Sequence, residues 1–409
     1  MVPKGWSLVE AQDICTSISV GVVIKPSQYY VSAESGVKAF RSANVREGFI
    51  NDTDWVYFSE EGHKANKKSH LKTGDVLIVR SGLPGVACVV TPAFEGFNAI
   101  DIVIARPNQD KVIPEYLCAY TNSHIGKSQV LNLQGGMAQK HLNVGAYQTL
   151  KIKLPPLLEQ KEISRIIGTW DKAITTTEKL LKNSQQQKRA LIQELLGSPE
   201  KTKNRIPQRE FKHIYDIADR IQRKSDGGEH PVLTISSLSG FVRQDEKYSR
   251  FMAGKSVENY ILLRRGEFAY NKGNSKTYEF GCIFDLDSFD AGLVPHVYVC
   301  FKLKPGLSHR YFKYLFEADY LKPQLGQLVN TGVRNNGLLN IKPSEFMNTK
   351  VPVPSLEEQE RIADILHVAS KQIIALEQKL ACLKQEKKAL MQQLLTGKRR
   401  ITVDAKGAM

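Results

Sequence analysis

Two fragments of this chain, Glu159-x-Lys161 and Glu377-x-Lys379, match the Glu-x-Lys piece of some nuclease sites. Both fall on long predicted helices, at positions that are not equivalent in the internal repeat described below. Neither has a partner acid on a strand, so phosphodiester cleavage by a metal-assisted route has no visible ligand set. Other chemistry is also missing. There is no G-x-x-x-x-G-K-[ST] loop for a nucleotide phosphate, no G-x-G-x-x-G opening a helix and no H-E-x-x-H zinc motif. A G-x-S-x-G nucleophile elbow is absent. So is the Asn/Asp-Pro-Pro-aromatic motif of amino-methyltransferases, because Pro155-Pro156 follows Leu154. The nine histidines are isolated, and His63 and His70 flank a lysine-rich stretch that suits surface or phosphate contacts better than a metal. The six cysteines are scattered with no C-x-x-C, which fits a reducing cytosol and argues against disulfides and structural zinc. No catalytic and no metal-binding residue is expected.

What the chain offers instead is charge. Its 57 Lys+Arg against 42 Asp+Glu give a net charge of +15. No basic tail carries the excess. The stretches 1–153, 154–209, 210–353 and 354–409 carry +3, +5, +4 and +3. A polyanion touched along the whole molecule would favour that spread. At 409 residues, with 42% hydrophobic and 24% charged residues, the chain is long enough for two or three domains with real cores. No apolar run approaches a membrane span and the N-terminal stretch has no signal-peptide core, so a cytoplasmic location without a membrane is expected.

The elements that must position any binding residues announce themselves by repetition. The stretches 154–196 and 353–395, aligned without a gap, are identical at 17 of 43 positions. Each carries a heptad seam. In the first it runs Ile163, Ile167, Trp170, Ile174, Thr177, Leu181, Ser184, Lys188, Leu191, Leu195. In the second it runs Ile362, Leu366, Ala369, Ile373, Leu376, Leu380, Leu383, Lys387, Leu390, Leu394. Alternating steps of four and three predict a narrow apolar stripe that buries against another helix. The simplest partner for each copy is the other copy. The seam covers about 50 Å at ~1.5 Å per residue. Prolines close the N-terminal side, Ser355-x-x-Glu358 reads as a capping box, and Gly197 and Gly397 stand where left-handed caps are expected.

Each helix follows a globular unit. In the first, Lys38, Arg41, Asn44 and Arg46 interleave with Phe40, Phe49, Trp55, Tyr57 and Phe58. A strand at 71–80 carries Gly74-Asp75, a turn runs from Ser81 to Gly85, a helix is expected at 114–122, and a glycine-bearing loop spans 134–141. The second unit replays this plan. Gly266-Glu267 matches Gly74-Asp75, a helix is expected at 311–321, and the loop recurs at 330–337. The predicted domains are 1–153, 154–197 (first helix), 198–210 (linker), 211–352, 353–397 (second helix) and 398–409 (basic tail). The fold class is α+β: two similar mixed α/β domains joined by two long helices in an antiparallel coiled coil with pseudo-twofold symmetry.

At the two helix entries, Leu154-Pro-Pro-Leu-Leu-Glu-Gln160 and Val353-Pro-Ser-Leu-Glu-Glu-Gln359, and at the Gly74-Asp75 strand with Ser81-Gly82, the chain resembles the specificity subunits of type I restriction-modification systems. The resemblance covers essentially its whole length. It implies two target-recognition domains that each read half of a bipartite double-stranded DNA site, with the helices as spacer and docking scaffold. It also implies two methyltransferase subunits and, in the full complex, motor/endonuclease subunits. S-adenosylmethionine, ATP and Mg are then expected only on those partners, with no cofactor on this chain. Base reading draws on Arg for guanine and on Asn or Gln for adenine, while Lys and Arg hold phosphates. The candidates in the first half are Lys38, Arg41, Asn44, Arg46, Arg80, Gln139 and Lys140. In the second they are Arg243, Lys272, Asn274, Lys276, Arg334, Asn335 and Asn336. Two other readings share the architecture: a coiled-coil adaptor that binds protein rather than DNA, and the specificity half of a fused restriction-methylation enzyme.

Overall fold

The computed structural model describes residues 2–133, 141–197, 210–247, 258–273, 275–329 and 339–401. In the first domain, strand Ser7–Glu10 pairs antiparallel with Lys151–Leu154, the strand that leads into the long helix. The central sheet has the order Cys15–Val20, Ile102–Pro107, Val76–Val79, Ala87–Val89, all antiparallel. Strand side chains alternate between faces, and both faces here are covered. Val76, Ile78, Val103 and Ala105 face helix Pro114–Asn122 and the long helices. Leu77, Val79, Ile102 and Ile104 face Phe40, Val45 and Cys88. This explains why Val76–Val79 reads as an unbroken apolar run, the pattern of a strand buried on both sides. A second sheet, ordered Asn98–Ala99, Val37–Phe40, Val56–Phe58, Tyr30–Val31, adds the aromatic-rich layer.

The second domain repeats the first. Glu210–His213 pairs with Lys350–Val353 ahead of the second long helix. Its central sheet, Ala218–Ile221, Val299–Leu303, Phe268–Asn271, Cys282–Asp285, has the same order. The helix expected at 311–321 is His309–Glu317. Asp319, at φ +56°, takes the backbone into the left-handed region and ends it.

Both long helices are continuous 40-residue elements, Leu157–Leu196 and Leu356–Leu395, each about 60 Å long at ~1.5 Å per residue. The chain divides into two compact units, Met1–Lys179 with Glu377–Met409, and Leu180–Leu376. Each unit therefore holds one domain, the first half of that domain's own helix and the second half of the other. Within each unit the helices run antiparallel. In the first, Ile163 and Ile167 share a core with Met391, Leu394 and Leu395. In the second, Ile362, Ala363 and Leu366 share one with Leu191, Ile192, Leu195 and Leu196. No seam residue is exposed. Ile163, Ile167, Ile362, Leu366 and Leu394 are buried, and Trp170, Ile174, Leu181, Leu191, Leu195, Ile373, Leu376, Leu380, Leu383 and Leu390 are half-buried. The two glycines differ. Gly397 has φ +70°, as a left-handed cap requires. Gly197 does not; a Cβ there would run into the Gln193 carbonyl oxygen, so close approach is what excludes a side chain.

Candidate nucleic-acid interface

Lys38 stands on the strand Val37–Phe40, on the same face as Phe40. Its ammonium lies 4.9 Å from the Trp55 ring centre and 3.1 Å from Asp52 Oδ1. Trp55 donates its indole N–H to the same carboxylate oxygen at 2.7 Å. Beneath it, Trp55, Phe40, Phe94 and Phe97 pack edge-to-face or stacked. Arg41 donates to the Asp54 carbonyl at 2.7 Å and pairs with its carboxylate at 2.9 Å. Asp54 sits at φ +55°, a strained position for a non-glycine residue. Both cations are partly exposed and paired with carboxylates, and Lys38 lies over the aromatic cluster. Hydrogen bonds from Lys38 and Trp55 hold the Asp52 carboxyl below the usual carboxylate range.

Asn44 belongs elsewhere. It is fully buried, accepts from the Arg41 N–H at 2.9 Å and donates to the Asn51 and Thr53 carbonyls. An amide so enclosed cannot present its donor and acceptor to a base edge, which corrects the expectation for this residue. Arg80 is also committed internally. It is 9% exposed, donates Nε to the Leu142 carbonyl at 3.0 Å and pairs with Asp101 at 2.5 Å. Arg46 donates to the Ser42 and Val45 carbonyls and is half-buried. Among the second-half candidates, Arg243 is exposed and forks onto Asp245 at 3.2 Å. Lys276 is exposed and Lys272 half-buried. Gln139, Lys140, Asn274, Arg334, Asn335 and Asn336 lie outside the described residues.

The chain that follows each glycine loop is tied down in the same way in the two domains. Just after the loop, Leu142 donates its N–H to the Arg80 carbonyl at 2.9 Å, and Leu339 does the same to Lys272 at 3.0 Å. Arg80 and Lys272 thus mark one place in both domains, at the end of the strand that Gly74-Asp75 and Gly266-Glu267 introduce. Those pairs form the turn. Gly74 and Gly266 adopt φ +87° and +80°, and each acid accepts from the backbone N–H three residues earlier. Asp75 pairs with Arg106 from the neighbouring strand Ile102–Pro107, whereas Glu267 pairs with Arg223, just past the strand Ala218–Ile221. Burial raises the Asp75 carboxyl above its ordinary range, against the pull of the Lys72 N–H and Arg106.

The lysine-rich stretch between His63 and His70 is not among the candidates chosen from the sequence. Lys64, Lys67 and Lys68 are exposed there, and they rim a groove of about 420 Å³ beside Val20 and Val22. His63 and His70 stack 4.0 Å apart beneath them, with His63 Nδ1 2.6 Å from Asn98 Oδ1. The run of lysines is the sequence signal that marks this stretch. Among the described residues no cluster of three or more His, Cys, Asp or Glu could hold a metal ion, and no helix is long and apolar enough to cross a membrane.

Residues 3–184 and 212–385 match the family model for the type I restriction modification DNA specificity domain. The chain is 24% identical to a putative type I restriction enzyme MjaX specificity subunit of Methanocaldococcus jannaschii, over 98% of this chain and 95% of that protein. It is 22% identical to the type I restriction enzyme EcoKI specificity subunit of Escherichia coli, over 88% of this chain and 81% of that one. Among solved structures, the S subunit of a type I restriction-modification system from M. genitalium aligns with a TM-score of 0.58 at 11% identity, covering 98% of this chain and 97% of its own. A chain from a study of the assembly and conformational transition of the type I system aligns at 0.56 and 16% identity, covering 98% and 100%. These likenesses show the shared fold, and the family model takes in both halves of the repeat. The chain belongs to the type I restriction-modification DNA specificity family.

Proposed function

We propose that this chain is the DNA sequence-specificity subunit of a type I restriction-modification complex. Each domain reads one half of a bipartite site, and the helices serve as spacer and as scaffold for two methyltransferase subunits. The observation that carries this reading is the double family match, one on each of two domains with the same sheet order and the same backbone bond after the Gly-Asp/Gly-Glu strand, Leu142 to Arg80 and Leu339 to Lys272. The chain itself is non-catalytic. S-adenosylmethionine, ATP and Mg belong to the methyltransferase and motor/endonuclease subunits, which supply the reaction steps. Lys38, Arg41, Arg46, Arg243, Lys272 and Lys276 are the described residues we assign to DNA contacts. Gln139 and Lys140 on the first glycine loop, Arg334, Asn335 and Asn336 on the second, and Asn274 beside Lys272 complete the assignment. Because the two domains differ in sequence, the two half-sites differ as well.

A domain exchange tests this. Residues 1–153 are replaced by the equivalent domain of a relative, the complex is assembled with its methyltransferase subunits, and the methylated motif is sequenced. One half-site changes and the other is kept. If both change, or if the wild-type complex methylates no bipartite motif, the reading is wrong.

A further inference from the structure

We propose that Gln160 and Gln359 are positioning residues that lock each reading domain to its own long helix and so make the complex strict about the gap between half-sites. This inference rests on the function proposed above and adds a mechanism for one of its properties. Both glutamines stand in the first turn of a long helix and are buried to 0% and 1% exposure. Gln160 Oε1 accepts from the Ile113 N–H at 2.9 Å, and its Nε2 donates to the Lys111 carbonyl at 3.0 Å and to Pro155 at 2.8 Å. Gln359 Oε1 accepts from the Ser308 N–H at 2.9 Å, and its Nε2 donates to Pro354 at 2.8 Å. Ile113 and Ser308 are the N-caps of the equivalent domain helices Pro114–Asn122 and His309–Glu317. In each half, one side-chain amide therefore ties a domain helix to the entry of the spacer helix.

The rest of the joint is repeated too. Tyr116 donates its hydroxyl to the Lys153 carbonyl at 2.6 Å, and Tyr311 does the same to Pro352 at 3.1 Å. Gln129 brackets Lys151 through both N–H and C=O, and Gln324 brackets Lys350 in the same way. The same bonds thus recur in two domains whose sequences have otherwise drifted apart. An apolar residue of equal volume would fill the glutamine site, but it would impose no direction on the contact. A planar amide with an acceptor and two donors fixes orientation as well as distance.

That orientation matters because the joint is a lever. A reading surface roughly 20 Å from it, the scale of a domain this size, moves ~3.5 Å for a tilt of ~10°. One base-pair step of B-DNA is ~3.4 Å. A joint loose by that much would accept a neighbouring gap length.

The test uses the complex assembled with its methyltransferase subunits, carrying Gln160→Met, Gln359→Met or both. Methylation rates are measured on duplexes with the native gap, with the gap changed by one and two base pairs, and with one base substituted in a half-site. In the double variant, preference for the native gap over a one-base-pair change falls by about tenfold, the scale of one net hydrogen bond. Single variants fall less, and discrimination against the substituted half-site base is retained. Tyr116→Phe and Tyr311→Phe remove one bond each without changing volume. They relax the gap in the same direction and decide the matter if the methionine variants fail to assemble. An unchanged gap preference in a variant that still methylates the native site overturns the proposal. So does a parallel loss of half-site discrimination, which would mean the amide shapes the reading surface itself. Absence of any bipartite motif in the wild type would instead defeat the functional reading.

Discussion

Two ion pairs cross between the long helices inside the first unit, and their different settings allow one electrostatic argument to be tested against the other. Lys387 and Asp171 meet at 2.6 Å with side chains 12% and 33% exposed. Lys384 and Glu178 meet at 2.7 Å, but at 54% and 44% exposure. Water screens the second pair, so its coupling in a double-mutant cycle should be about 0–0.5 kcal/mol. The first pair is sheltered. Lys387→Met keeps the packed stem and removes the ammonium, leaving Asp171 with only partial hydration. Breaking a fully buried pair costs ~3–5 kcal/mol, and the exposed third of Asp171 reduces this to about 1–3 kcal/mol, with a coupling of about 1–2 kcal/mol to Asp171→Asn. At 0.5 M salt the screening length is about 4 Å, which removes the exposed coupling and leaves most of the sheltered one. All three tryptophans, Trp6, Trp55 and Trp170, belong to the first unit, so tryptophan fluorescence during urea unfolding reports on it. The reasoning is refuted if the two couplings are equal, or if salt abolishes both.

Asn44 and Lys38 should separate fold from contact. Asn44→Ala leaves the Arg41 N–H and the Asn51 and Thr53 carbonyls without their partner and should cost about 2–3 kcal/mol of stability, with no relaxation at a single base. Lys38→Ala should leave the melting temperature nearly unchanged while weakening all DNA sequences alike and lowering the salt slope by about 1; the opposite pattern in melting and salt titrations would reverse the assignment. Asp319 gives a pH signature. Burial raises its carboxyl from 3.8 to about 6, with Lys322 pulling it down and Glu279 pushing it up. The charged form is thus disfavoured in the folded state, and stability is lost as pH rises from about 3.8 to about 6. Asp319→Asn, which suits the left-handed backbone, should melt higher at pH 7–8 by less than about 1 kcal/mol at this half-exposed site, with the gain gone by pH 4. A gain independent of pH would show that the carboxylate charge is not its source.

The sequence alone determined the parts that depend on local periodicity. The heptad steps placed every seam residue from Ile163 to Leu195 and from Ile362 to Leu394 on a buried or half-buried face, because a helix repeats every 3.6 residues whatever lies beyond it. Gly74-Asp75 and Gly266-Glu267 were visible as equivalent because a positive φ selects glycine in both copies. The repeat also exposed Glu159-Gln160 and Glu358-Gln359 as a matched pair, but it gave no hint of what the glutamines bond.

Those bonds were decided by the tertiary structure, because a polar side chain's role depends on which distant backbone arrives beside it. Asn44 has the right chemistry to read adenine and instead closes a loop inside the core. Asp75 and Glu267 occupy one position of the repeat, yet their arginines come from non-equivalent places, Arg106 on the strand Ile102–Pro107 and Arg223 past the end of Ala218–Ile221. Lys188 and Lys387 share one seam position, where spacing alone treats them alike. One lies 5.6 Å over the Tyr314 ring, and the other pairs with Asp171 at 2.6 Å. Periodicity sets which face of an element is buried, and only the packed fold sets what that face meets.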